Sequence, residues 1–339
     1  MIIRIYKKVF IWFINKMRAL VTGASGFIGR HLVRRLLKEK YKVRCLVRKN
    51  SNVNGLIDVE LVYGDLLDKD SLKKAVDGVD MVYHLGAVWG IYGVPRKIVY
   101  DVNVNGTRNI IEESYKAKIK KFIHFSTFSV YGYTEKPANE ETPQKGLTSY
   151  FGKTKRMGEK IVKEYMQKGM DAVIIQPTVT YGPGLNLGFV NMFSAIKNKK
   201  FCFIGNGDNF LHLCYIDNLM DGIILVSRSK KAIGQTYLIG DETPLMFKDI
   251  VGCVAENLRV NIPKIYLPIW LARTAVPYLK FLAKLIKQQQ PLLTYHRINY
   301  MSKNQFANIS KIKRELGFKP KISSREGLKL TIEDWMKSN

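Results

Sequence analysis

Ala19-Leu20-Val21-Thr22-Gly23-Ala24-Ser25-Gly26-Phe27-Ile28-Gly29 is a short apolar run ending in three glycines spaced Gly-x-x-Gly-x-x-Gly. An amphipathic run from Ile28 to Leu37 follows at once. The pattern predicts strand, tight turn and helix start. Gly23 permits the turn, Gly26 lets a phosphate approach the backbone, and Gly29 lets the helix pack close on its strand. The unpaired amides and the positive end of the helix dipole then face the phosphates. In this strand–turn–helix setting the glycines read as a pyrophosphate cradle, and the chain is expected to bind a dinucleotide.

Working outward, strands are expected at 18–22, 42–47, 59–63, 80–84, 121–126 and 171–176. Helices are expected near 28–40, 69–77, 96–117 and 150–168. The strands are mostly apolar, as strands covered on both faces should be, and they alternate with helices. The expected fold class is α/β, a doubly wound parallel Rossmann sheet over 17–182. A smaller C-terminal substrate-binding lobe follows over 183–339, with some elements returning to the first domain. At 339 residues, 46% hydrophobic and 24% charged, the chain can bury a sizeable core.

Lys and Arg number 55 against 28 Asp and Glu. The cations fall in short knots such as Lys118-Ile119-Lys120-Lys121 and Lys197-Asn198-Lys199-Lys200, without the interleaved aromatics of a single-strand groove, so no nucleic-acid partner is expected. A positive surface suits anionic lipid or an anionic substrate. Cys45, Cys202, Cys214 and Cys253 match no zinc spacing and read as reduced packing residues of a cytoplasmic protein; five scattered histidines suggest no metal. Residues 1–16 join Arg4, Lys7, Lys8 and Lys16 to the greasy run Val9-Phe10-Ile11-Trp12-Phe13-Ile14. At about 24 Å as a helix they are too short to span a bilayer. They read as an extension, either a segment lying on a membrane or a misassigned start, and peripheral membrane contact stays open.

Several motifs line up in order: the glycine-rich stretch, then Gly64-Asp65-Leu66, His84-Leu85-Gly86-Ala87 and Val102-Asn103-Val104-Asn105-Gly106-Thr107. They continue with Phe125-Ser126-Thr127-Phe128-Ser129-Val130-Tyr131-Gly132, Pro177-Thr178-Val179-Thr180-Tyr181-Gly182-Pro183-Gly184 and Tyr215-Ile216-Asp217-Asn218-Leu219. Together they resemble the extended short-chain dehydrogenase/reductase superfamily, in its NAD-dependent epimerase/dehydratase and 3β-hydroxysteroid-dehydrogenase-like branches. The resemblance covers nearly all of 17–339. It implies that Gly23, Ser25, Gly26, Phe27, Ile28 and Gly29 hold the cofactor, and that Asp65 and Leu66 meet the adenine. Gly86, Ala87 and Pro177 line the cofactor further along, and Lys155 supports its ribose. His84 reads as a strand-end residue. It further implies a homodimer built on the helices near 96–117 and 150–168.

An NAD site places an acid at the end of the second strand. Here that strand ends Leu46-Val47-Arg48-Lys49, with no carboxylate, and Arg48 suits a 2′-phosphate. The expected cofactor is NADP, with NAD as the alternative. For catalysis the resemblance implies a Ser/Thr that holds the substrate oxygen, a Tyr that moves the proton, and a Lys four residues on. Thr127 fits the hydroxyl, with Ser126 beside it; Lys155 and Glu159 fit the lysine and the glutamate that follows it. Four residues before Lys155, however, stands Phe151, and the tyrosine is next door at Tyr150. One residue on a helix turns a side chain by about 100°. Tyr150 therefore serves as the acid–base only from an irregular first turn or paired with Lys153, and otherwise the site lacks a tyrosine acid–base.

The resemblance places arginines that grip a nucleotide-sugar diphosphate at two positions. Here they are Leu211, with His212 next to it, and Gln176. Both changes remove fork-shaped cations suited to phosphate. The apolar stretch Ile265–Ile286 suits a lipid-like alcohol or ketone, a membrane surface or simple core packing. The leading expectation is an NADP-dependent oxidoreductase of a secondary alcohol or ketone on a hydrophobic small molecule, with Thr127 and Tyr150 polarising the oxygen. A nucleotide-sugar epimerase or dehydratase is the alternative, and a catalytically silent NAD(P)-binding protein is a third.

Overall fold

Residues 17–90, 93–144, 149–185, 188–285 and 293–338 are described in a computed structural model; the extension at 1–16 lies outside them. The apolar runs become β1 (Arg18–Thr22), β2 (Lys42–Val47), β3 (Glu60–Tyr63), β4 (Met81–His84), β5 (Lys121–Phe125) and β6 (Ala172–Pro177). A seventh, β7 (Thr236–Ile239), comes from the second half of the chain and closes one edge. The sheet order is β7-β6-β5-β4-β1-β2-β3, every pairing parallel. Winding reverses between β1 and β4, where Thr22 lies opposite His84. That reversal opens a crevice at the strands' carboxyl ends, the usual ligand position of a doubly wound sheet.

Alternation along each strand makes two cores. Val21, Tyr83, Ile123 and Ile175 face one side, packed with Leu32 and Leu36 of α1 (Phe27–Lys38) and Leu219 and Ile223 of α6 (Ile216–Arg228). Leu20, Val82, Phe122 and Ile174 face the other. They meet Leu72 of α2 (Lys69–Val76), Ile110 and Ile111 of α4 (Gly106–Lys116), and Ile161 and Val162 of α5 (Tyr150–Gln167).

The long helix expected at 96–117 is divided. After α3 (Arg96–Tyr100) the chain makes a π-helical turn, Asp101–Asn105, before α4 begins. The widened turn brings Asn103 inward, where it is fully buried. Its Oδ1 accepts the Val88 amide at 2.8 Å, and its Nδ2 donates to the Val88 carbonyl and to Thr154 Oγ1, both at 3.0 Å. Such turns recur at functional sites because they re-aim one side chain. Lys121, the last cation of one basic knot and the first residue of the strand expected at 121–126, is buried; its ammonium binds the carbonyls of Ser227 (3.0 Å) and Ser229 (2.8 Å) at the end of α6.

The second half is tied down by Asp241, also fully buried. Its carboxylate accepts from Tyr181 Oη (3.0 Å), Ser324 Oγ, the Tyr215 amide and Asn218 Nδ2 (each 2.8 Å). Four donors from three stretches of chain converge on this one buried side chain. Asp241→Ala strands Ser324 Oγ and the Tyr215 amide, while Tyr181 Oη and Asn218 Nδ2 keep the Ser324 and Ile322 carbonyls; each buried unsatisfied group costs about 1–3 kcal/mol. Urea unfolding should show stability lowered by roughly 3 kcal/mol or more; an unchanged midpoint would contradict the tie.

Candidate functional site

At the end of β1, Gly23 has φ +72°, and a Cβ there would lie 2.8 Å from the Gly86 nitrogen. A Cβ on Gly29 would overlap the Gly23 carbonyl and lie 2.8 Å from Ala24 Cα. Only glycine lets strand, turn and helix meet this closely. Gly26 caps α1 with no side-chain acceptor, and the first turn holds no acid. The amides of Phe27, Ile28 and Gly29 thus lack helical partners and form an anion-binding end. These residues fit a dinucleotide's phosphates. Ser25 joins them through Arg30, which sequence reasoning passed over: its Nε donates to the Ser25 carbonyl at 3.0 Å, and its guanidinium also holds the Asn52 (2.6 Å) and Asn54 carbonyls. The one signal was its place directly after the third glycine.

Arg48 stands exposed just past β2, its amide donating to Ser51 Oγ at 3.1 Å. Asp65 Oδ1 accepts the Leu67 amide at 2.9 Å, closing a local turn. Leu66 packs beneath Gly86 and Gly106; a Cβ on either would come within 2.9 Å of it. Ala87 is exposed beyond β4, and Pro177 is buried at the end of β6.

His84 does more than end a strand. Thr22 Oγ1 accepts the Gly86 amide (3.0 Å) and, with the buried ring neutral and its proton on Nε2, donates to His84 Nδ1 (2.8 Å). Thr107 Oγ1 donates to the Asn103 carbonyl (2.7 Å) and so accepts from His84 Nε2 (3.0 Å). This wiring fixes a neutral ring protonated on Nε2. Burial, and then the Lys155 charge, hold His84 well below the usual histidine range. The ring therefore serves as a rigid brace between the cradle, the Gly86 loop and the π turn.

On the other side, α5 begins against the turn after β5: a Cβ on Gly152 would sit 2.6 Å from the Ser129 carbonyl. Thr127 caps that turn, its Oγ1 accepting the Ser129 amide at 3.2 Å, and is half-buried. Lys155 is only 2% exposed, and among the described residues its ammonium has no hydrogen-bond partner. Burial pushes it down to about 8, against the pull of the Glu159 carboxylate. Glu159, also buried, accepts from Ser126 Oγ, Gln176 Nε2 (2.7 Å) and Gln144 Nε2 (2.9 Å). Gln176 Oε1 in turn accepts from Tyr131 Oη at 2.7 Å. Sequence reasoning missed Gln144 and Tyr131 as members of this network, because nothing in their spacing marks it.

The helix is regular from Tyr150 onward, with Ser149 Oγ accepting the Gly152 amide at 3.0 Å. Phe151 therefore shares the inward stripe of Lys155, Gly158 and Val162. The Tyr150 ring lies against the Arg96 guanidinium, 5.3 Å from its centroid, and among the described residues its hydroxyl makes no hydrogen bond to Thr127 or Lys155. Lys153 is exposed.

At the substrate side, Leu211 is fully buried and His212 is committed: its Nε2 donates to the Asp241 carbonyl (2.8 Å) and its Nδ1 accepts the Ala307 amide (3.2 Å). Trp89, half-exposed on the loop after β4, covers Gly188; a Cβ there would meet its ring at 3.0 Å.

Residues 19–240 match the model of the NAD dependent epimerase/dehydratase family. The chain is 28% identical to 3beta-hydroxysteroid-dehydrogenase/decarboxylase isoform 1 of Arabidopsis thaliana, an alignment covering 93% of this chain and 79% of that one. It is 27% identical to N-acetyl-alpha-D-glucosaminyl-diphospho-ditrans,octacis-undecaprenol 4-epimerase of Escherichia coli O157:H7, covering 93% and 94%. Among solved structures, UDP-glucuronic acid 4-epimerase from Bacillus cereus in complex with NAD superposes with a TM-score of 0.77 at 26% identity, covering 95% of this chain and 99% of that one.

Gly29→Ala forces the helix off the Gly23 carbonyl. Titration should show dinucleotide binding weakened at least about tenfold, an energetic loss of about 1.4 kcal/mol, with helical content retained. Unchanged affinity would contradict the cradle.

Proposed function

The chain belongs to the NAD dependent epimerase/dehydratase family, and from that premise we propose that it is an NADP-dependent oxidoreductase. Its substrate on this reading is a secondary alcohol or ketone of a hydrophobic molecule. The carrying observation is the pair of positions at which the family resemblance expects diphosphate-gripping arginines. Leu211 is sealed in the core, and Gln176 is spent between Tyr131 and Glu159. Neither presents a cation to a phosphate, while the indole of Trp89 offers apolar surface on the loop after β4. The likeness to a hydroxysteroid dehydrogenase supports the same direction; the likeness to undecaprenyl-linked and nucleotide-sugar epimerases supports the runner-up, isomerisation with the cofactor retained.

A bound nicotinamide supplies or takes up the hydride. Thr127 donates a hydrogen bond to the substrate oxygen and fixes its direction. Lys155 holds the proton that the oxygen gains on reduction, because Phe151, on the same stripe one turn earlier, has none to give. An ammonium near pH 8 is matched to this work at neutral pH, where a proton donor acts best close to its own pKa. Tyr150, turned toward Arg96, is the rival donor. Arg48 reaches for the 2′-phosphate past the end of β2, where no carboxylate competes.

Incubation with NADPH and a panel of hydrophobic ketones should oxidise the cofactor and yield an equal amount of alcohol. Isomerisation of a nucleotide sugar without net cofactor change would favour the runner-up, and binding without turnover the silent protein. Arg48→Ala should weaken NADPH about tenfold or more while sparing NADH; equal losses would favour NAD as the natural cofactor.

Reduction needs the ammonium form of Lys155. Its rate should therefore fall as pH rises through about 8, and the oxidation rate should rise over the same range. Lys155→Met should abolish that limb and cost about 10²–10⁴-fold. Tyr150→Phe separates the donors: kept turnover leaves the proton with Lys155, whereas lost turnover with cofactor binding intact gives it to Tyr150.

A further inference from the structure

In the C-terminal half, helix α7 (Ile269–Leu285) is amphipathic with its apolar side outward as well as inward. Ala272, Val276, Leu279 and Ala283, spaced four, three and four apart, form the inward stripe, and the first two pack on Ile204 and Ile298. That stripe accounts for the helix's place in the fold. The opposite face carries Trp270, Tyr278, Phe281 and Leu285, between 63% and 77% exposed, with Leu271 and Leu282 beside them. At 100° per residue these six span about a third of the circumference, centred away from the protein. Single exposed hydrophobics are ordinary, but six large apolar side chains on one helix face, interrupted by Thr274, mark an interaction surface.

Charge says what covers it. From Leu258 to Arg314 the chain has eleven Lys or Arg and no Asp or Glu. On α7 itself, Arg273 and Lys280 lie together on one flank of the apolar face. Arg273 meets the Asn299 amide oxygen at 3.2 Å and Lys280 the Tyr295 ring at 5.4 Å; among the described residues neither pairs with a carboxylate. A second copy seated two-fold with the helices antiparallel would bring the same cations against each other. An anionic bilayer accepts both features at once: the aromatics enter the headgroup boundary and the cations meet lipid phosphates. Among the described residues no helix is long and apolar enough to cross a membrane.

We propose that the outer face of α7 is a docking surface for an anionic lipid bilayer, on which the chain lies peripherally. The helix packs on Ile204 and Ile298 and uses no residue of the dinucleotide cradle, so the proposal stands whether or not the reading of the activity does.

The test is sedimentation of the full chain with vesicles of mixed phosphatidylglycerol and phosphatidylcholine, against phosphatidylcholine alone. The chain should pellet with the anionic vesicles and be released by salt, since cations at the surface are screened over about 10 Å at moderate ionic strength. The double variant Trp270→Ser/Phe281→Ser should lower partitioning by about a hundredfold, at roughly tenfold per large side chain withdrawn from water. Arg273→Glu/Lys280→Glu should remove the preference for anionic lipid. Both pairs are exposed, so dinucleotide binding should be kept, which separates lost docking from lost folding. Parent protein left in the supernatant overturns the proposal. So does a double variant that pellets as well as the parent, which would place binding elsewhere, as on residues 1–16. A parent dimer that the same variant dissociates also overturns it, assigning the face to a second copy.

Discussion

The Gly26 amide donates to the Gly23 carbonyl at 3.0 Å, and that same carbonyl occupies the space a side chain on Gly29 would need. This contact of bare backbone on bare backbone sets how near α1 comes to β1. That distance fixes where the free amides of Phe27, Ile28 and Gly29 point. It also fixes the approach of the Gly86 loop, since Gly23 and Gly86 admit no side chain between them. From Gly86 the constraint passes through Thr22 to the neutral His84 ring, and from there through Thr107 to the π turn and Asn103. The phosphate end of the site and the region around α5 are thus parts of one rigid arrangement.

Local signals were legible and long-range ones were not. Six strands lie within one or two residues of where the apolar runs place them, because a strand covered on both faces must be apolar throughout. The glycine triplet identifies its own geometry, since no other residue fits. β7 escaped notice: Thr236–Ile239 is four residues long, in a region without regular alternation, and it is a strand only because β6 offers an open edge. The π turn escaped too, since Asp101–Asn105 reads as ordinary helix and its widening is driven by the distant Val88 backbone. Lys121 begins a strand expected to be covered on both faces, but what receives its charge, the carbonyls at the end of α6 more than a hundred residues on, is not readable locally.

The offset between Tyr150 and Phe151 shows how a local cap decides a chemical question. Ser149 accepts the Gly152 amide and so starts the helix in regular geometry at Tyr150. With the register fixed there, the residue facing inward with Lys155 is Phe151, and Tyr150 is turned about 100° toward α3, where Arg96 meets its ring. A start one residue later would have left Tyr150 in extended backbone, free to aim elsewhere. The composition of the motif alone does not contain this distinction; the cap does.

Gln176 also bears on the charge around Glu159. An arginine there would place a full cation against Glu159, where the amide instead donates one neutral hydrogen bond at 2.7 Å. Glu159 is satisfied by three neutral donors, Ser126, Gln144 and Gln176, so its carboxylate is solvated without being neutralised. The uncompensated negative charge is then felt by Lys155, one helical turn earlier and equally buried. Burial alone would drive that ammonium further down, since an unpaired cation loses its hydration. The Glu159 field opposes this and leaves Lys155 at about 8, charged at neutral pH yet ready to give up its proton. Burial thus sets the direction in which Lys155 moves, and the Glu159 charge, left in place by the neutral amide of Gln176, limits how far it goes.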